Sequence, residues 1–134
     1  MSNYPKDVLE AYEKAKEAMA KAYSPYSKFK VGACLKHKDG YFAAHNIENV
    51  SFPVGCCAET NAIYGAINTV GRIKFDYIVI VADSKDPISP CGICRQVMRE
   101  HVSDDFKIYM GDSKGIREVK TMKEILPGAI TNLD

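Results

Sequence analysis

In the stretch SPCGICRQ, residues 89–96, two cysteines stand three residues apart just after a proline. Pro90 suits the start of a helix, so Cys91 and Cys94 fall in or beside its first turn. Thiolates at that spacing can share one zinc ion. The pair alone does not separate a closed structural knot from an open catalytic site. Structural zinc takes four protein ligands, whereas catalytic zinc commonly takes three and keeps a position for water. The remaining candidates are Cys34, Cys56, Cys57, His37, His45 and His101.

Cys57 is the strongest of these. The small and aliphatic run that follows it predicts a second helix over 57–70, with Ala62, Ile63, Ala66, Ile67 and Val70 facing inward. Both helices therefore begin at cysteine, and a helix N-terminus carries about half a positive charge that favours the thiolate. Two such N-termini meeting at one end of a sheet bring Cys57, Cys91 and Cys94 together. Cys56 adjoins Cys57, and neighbouring side chains diverge. The histidines hold no spacing relation to the cysteine pair and read as exposed or hydrogen-bonded residues. Cys34 sits in an alternating run and behaves as a small hydrophobe. Three ligands is the simpler count. Glu59 then gains meaning: across Ala58 it faces the same cleft as Cys57, where a carboxylate beside metal-activated water serves as general base and then acid. Taken alone, Glu59 would only complement the helix dipole.

The elements that must position these groups follow from periodicity. Val8, Tyr12, Ala15, Met19 and Ala22 recur at helical spacing over 5–22. Residues 29–37 alternate, with Phe29, Val31, Ala33 and Leu35 on one face. Asp39-Gly40 then turns the chain into a second strand over 41–46. Residues 77–82, YIVIVA, read as a central strand covered on both faces. Val97, Met98 and His101 continue the buried face of the third helix. Residues 106–110 and 116–120 flank a turn, and a short helix over 122–126 precedes Pro127-Gly128. The order αββαβαββα predicts a three-layer α/β/α sandwich around a mixed five-stranded sheet, as one domain over 1–134.

Composition narrows the function classes. The 134 residues carry a net charge of +1, and no basic stripe suited to nucleic acid stands out. No apolar run is long enough for a membrane, and MSNYPKDVLE has no signal-peptide core. Five cysteines, an odd number, fit a reducing compartment, so the chain reads as cytoplasmic.

Cys57-Ala58-Glu59 followed by Pro90-Cys91-Gly92-Ile93-Cys94 resembles the signature of the zinc-dependent cytidine deaminases with three cysteine ligands. YSKFKVGA at 26–33, NIEN at 46–49 and LPGA at 126–129 resemble further family motifs, so the likeness spans nearly the whole chain. It implies one Zn²⁺ per subunit on Cys57, Cys91 and Cys94. It implies hydrolytic deamination of cytidine or 2'-deoxycytidine, with Glu59 moving protons from water to ring N3 and on to the leaving amine. Asn46 and Glu48 match the ribose-holding positions, and Phe29 and Ala58 match walls of the substrate pocket. The family's homotetramers share pocket residues between subunits.

Three positions depart from the family pattern. Thr60 stands where cysteine-ligand members typically carry an arginine, which predicts a more negative zinc centre; Arg95, directly after Cys94, is a candidate to offset it. Phe52 replaces the commoner tyrosine. Ile130 replaces a phenylalanine that stacks on the base, removing about 1 kcal/mol of stacking. Competing readings are a blasticidin-type deaminase, a nucleic-acid-editing enzyme that would need a positive channel, and a non-enzymatic zinc-stabilised module with four protein ligands.

Overall fold

The computed structural model describes residues 3–84 and 88–133. The elements occur in the expected order: α1 (Lys6–Ala20), β1 (Val31–His37), β2 (Gly40–His45), α2 (Ala58–Val70), β3 (Phe75–Ala82), α3 (Gly92–His101), β4 (Lys107–Asp112), β5 (Gly115–Thr121) and α4 (Met122–Ile125). A single 3-10 turn, Phe52–Val54, precedes α2. The strands form one sheet in the order β2-β1-β3-β4-β5. Only β3 and β4 run parallel, and α3 supplies the crossover that such a pair requires. The other three pairs are antiparallel. No helix among the described residues is long and apolar enough to cross a membrane.

Two cores lie on the two faces of the sheet. Ala33, Leu35, Ile78, Ile80, Ile108 and Met110 pack with Ala62, Ile63 and Ala66 of α2, Met98 of α3 and Met122 of α4. Cys34, Tyr77, Val79, Val81 and Tyr109 pack on the other side with Val8, Ala11, Tyr12 and Ala15 of α1. The alternation in β1 thus separates two buried faces, not a buried face from a wet one. Cys34 is fully buried, and its thiol is pushed up to about 12 by the loss of water.

Gly32 is where α1 comes closest to the sheet. A Cβ there would run into the Ala15 carbonyl oxygen and lie 2.6 Å from the Met19 amide nitrogen. Both are helix backbone and cannot rotate away. The register that pairs Val31 with Ala82, and Gly32 with both Val81 and His45, fixes the functional end of the molecule. The start of β1, the end of β2 and the end of β3 all lie there, with the loops that lead to α2 and α3.

Gly32→Ala is expected to destabilise the fold by about 2–3 kcal/mol, since overpacking against immovable atoms carries a cost of that order. Chemical denaturation would measure it; a change under 0.5 kcal/mol would show that α1 is free to shift.

Candidate active site

Cys57 is the N-cap of α2, with φ −73° and ψ 157°, and Cys91 is the N-cap of α3, with φ −69° and ψ 169°. Cys94 lies one turn inside α3 and is fully buried. The three sulfurs lie within 4.8 Å of one another. Three sulfurs bound at about 2.3 Å by one tetrahedral zinc would sit about 3.8 Å apart, so the cluster matches that ion in donor type and spacing. The sequence expectation of three thiols from two helix starts is met. Cys57 and Cys91 remain open to solvent on the cleft side.

The other candidates lie elsewhere. Cys56 forms an antiparallel bridge with Ile47, exchanging hydrogen bonds of 2.9 and 3.0 Å, and its sulfur is outside the cluster. His37 accepts from the Asp39 amide at 3.2 Å, His45 Nδ1 lies 3.0 Å from the Asn46 carbonyl oxygen, and His101 Nδ1 accepts from Arg72 Nε at 3.0 Å. Among the described residues, the cysteine triad is the group suited to a metal.

The thiols are not equivalent. Cys57 falls to about 6, because Cys94 and Cys91 donate S–H to its sulfur against the cost of burial. Cys94 is pushed up, chiefly by donating to Cys57 and then by burial. Two helix N-termini aimed at the cluster add to its preference for negative charge.

Glu59 is 5% exposed, one residue inside α2. Burial pushes its carboxyl from 4.5 up to about 7, and the charge of Cys57 adds to the rise. A carboxyl near 7 can both take and return a proton at physiological pH.

A cleft of about 230 Å³ joins these groups to the expected substrate residues: Phe29, Asn46, Glu48, Cys57, Ala58, Glu59 and Cys91 all line it. Asn46 and Glu48 also build its wall. Asn46 Oδ1 accepts from the Val31 amide and its Nδ2 donates to the Phe29 carbonyl, both at 2.9 Å, like an extra rung of β-ladder. Glu48 accepts from the amides of Tyr26 and Ser27 at 3.0 Å and from the Ser27 hydroxyl, and these bonds hold its carboxyl below the usual range. Lys28, at φ 64°, turns this loop back into β1.

Sequence reasoning missed Ser27, Ile88 and Ser89 as individual cleft residues, although Ser27 and Ser89 lie inside the quoted motifs. It also read Thr60 only as a missing arginine. Its Oγ1 lies 3.3 Å from Cys94 Sγ in a buried contact. Arg95 binds no sulfur among its described contacts: it donates to the carbonyls of Pro90 and Ile125, each at 2.7 Å, and to Ser89 Oγ at 2.8 Å. It ties the cysteine loop to the end of α4. Phe52 and Ile130 are 75% and 67% exposed; Phe52 lines an adjoining hollow that shares Ser27, Asn46, Glu48 and Cys57 with the cleft, and Ile130 lines neither. The expected contact of Ile130 with the base is therefore not made within one subunit.

The family model described as the cytidine and deoxycytidylate deaminase zinc-binding region matches residues 5–110. Cytidine deaminase of Halalkalibacterium halodurans is 45% identical over 91% of this chain and 92% of its own. That of Sporosarcina psychrophila is 40% identical over 96% and 94%. A crystal structure of cytidine deaminase from Burkholderia pseudomallei superposes with a TM-score of 0.85 at 39% identity, covering 91% of this chain and 98% of that one. Blasticidin-S deaminase of Bacillus cereus is further off, at 32% identity over 93% of each chain. With its fold, its three-sulfur cluster and this likeness in agreement, the chain belongs to the zinc-binding cytidine and deoxycytidylate deaminase family.

Proposed function

We propose that this protein removes the 4-amino group of cytidine, 2'-deoxycytidine or both by hydrolysis, giving the uracil nucleoside and ammonia in pyrimidine salvage. The observation that carries the reading is the buried Glu59 carboxyl, which lines one cleft with Cys57 and Cys91 of the three-sulfur cluster. Cys57, Cys91 and Cys94 would hold the zinc ion, which when bound would supply the Lewis acidity that makes water a nucleophile near neutral pH. Glu59 accepts a proton from the attacking water and passes it to N3 of the ring. It then takes the proton of the new 4-hydroxyl and delivers it to the amine as the C4–N bond breaks, leaving a carbonyl at C4. Asn46 and Glu48 hold the ribose hydroxyls with the hydrogen-bonding capacity left after bracing the loop. Phe29 and Ala58 supply the apolar walls beside the base.

The same reading treats residues 1–134 as one domain in a cytoplasmic homotetramer. Val50, Phe52, Val54 and Ile93 are each at least two-thirds exposed in the single chain, on the loop before α2 and on α3. Burying them between subunits would remove that apolar surface from water and complete the cleft from a neighbour. Five unpaired cysteines fit a reducing compartment.

Glu59→Gln is expected to keep zinc and fold while cytidine turnover falls about 10²–10⁴-fold; undiminished ammonia release would remove Glu59 from the mechanism. The same variant carries a pH signature in chelator-treated protein. Because the folded-state carboxyl is raised, its stabilising contribution is complete below 4.5 and is lost as pH rises through about 7. The unfolding free energy of the Gln variant should therefore pull ahead of wild type between pH 5 and 8, by roughly 3 kcal/mol at most. A gap that does not change with pH would contradict the raised carboxyl. Light scattering should give four copies of the 14.9 kDa chain, about 60 kDa; a fully active 14.9 kDa species would refute the assembly.

A further inference from the structure

Cys57 and Cys91 cap their helices, and three residues further on stand Thr60 in α2 and Cys94 in α3. The two helices thus repeat one pattern, Cys-x-x-Thr against Cys-x-x-Cys, and the third-position groups meet. Thr60 is 8% exposed, and its hydroxyl oxygen lies 3.3 Å from Cys94 Sγ. Helical threonines commonly bond back to a carbonyl in the preceding turn. Thr69 of the same helix does so, donating to the Gly65 carbonyl at 2.8 Å. The Thr60 hydroxyl turns to the sulfur instead. A thiolate that ligates a cation has no proton to give, so in the metal-loaded protein the hydroxyl must be the donor.

Three thiolates around Zn²⁺ leave one net negative charge. The nearest guanidinium in sequence, that of Arg95, spends its described donors on two carbonyls and the Ser89 hydroxyl. We propose that Thr60 is a positioning residue that donates a hydrogen bond to the Cys94 thiolate, fixing that ligand's orientation and withdrawing electron density from the three-sulfur centre. The proposal rests on the cysteine triad holding zinc but not on the identity of the substrate. Measurements on the metal site therefore separate its failure from failure of the proposed deamination.

The test uses full-length wild type, Thr60→Val and Thr60→Ser, with zinc affinity measured by competition against a chromophoric chelator. The cobalt(II)-substituted proteins report the sulfur-to-metal charge-transfer band. Thr60→Val keeps the shape and removes the donor. It should weaken zinc binding about 10-fold, the lower end of what losing a ligand's hydrogen-bond partner costs. It should also move the band to lower energy, because the sulfur lone pair is no longer stabilised. Thr60→Ser should restore the affinity to within about 2-fold of wild type and return the band to its wild-type position. Wild-type affinity with an unmoved band in Thr60→Val would overturn the proposal. So would a serine variant as impaired as the valine one, which would assign the effect to packing of the methyl group. If valine prevents folding, Thr60→Ala removes the same donor by truncation and is read against serine in the same way.

Discussion

Two helices that start at the same end of one sheet, each capped by a cysteine, are the constraint on which the rest of this structure depends. Bringing thiolates within 4.8 Å of one another is unfavourable unless positive charge meets them there. The N-termini of α2 and α3 supply about half a charge each, and a bound cation supplies the remainder. Closing the hairpin β1–β2 beside the parallel pair β3–β4 leaves both helix starts above the same strand ends. The cluster is therefore a product of sheet order as much as of cysteine spacing.

Rigidity at that end comes from side chains that replace backbone partners. Asn46 extends the ladder between β2 and the segment entering β1, Glu48 gathers three donors from residues 26–27, and Asn61 donates to the His45 carbonyl at 2.8 Å. Arg95 anchors the loop before α3 to the end of α4. Such bracing limits the movement of Glu59 and the sulfurs, and catalytic groups lose rate quickly when misplaced by about 1 Å. Small residues make the close approaches possible: Gly32 admits α1, while Ala58, Ala62 and Ala66 let α2 lie flat on the sheet.

Much of this was legible in the residues themselves. The periods of 3.6 and 2 gave the element order, and the run YIVIVA announced a strand buried on both faces. The cysteine positions at helix starts gave the metal cluster, and Glu59 beside them pointed to the proposed chemistry. Other features were hidden because they depend on partners distant in sequence. Alternation placed Phe29, Val31, Ala33 and Leu35 on one face of β1, but the cover over the other face, which bears Cys34, comes from α1 and its own apolar stripe. Phe29 lies outside β1, since Lys28 adopts a left-handed turn just before it. Arg95 looked like a charge for the cluster and is a strut. Thr60 looked like an absence, although its spacing from Cys57 repeats that of Cys94 from Cys91. Ile130 is two-thirds exposed and held through its carbonyl oxygen, which accepts from Gln96 Nε2 at 3.3 Å.

X-ray absorption spectroscopy on the zinc-loaded protein tests the central claim most directly, since it counts the atoms around the metal. The account predicts three sulfurs at about 2.3 Å and one oxygen at about 2.0 Å, with no imidazole scattering. A fourth sulfur, or an imidazole ring in the coordination sphere, would make the centre a closed structural site and contradict the account.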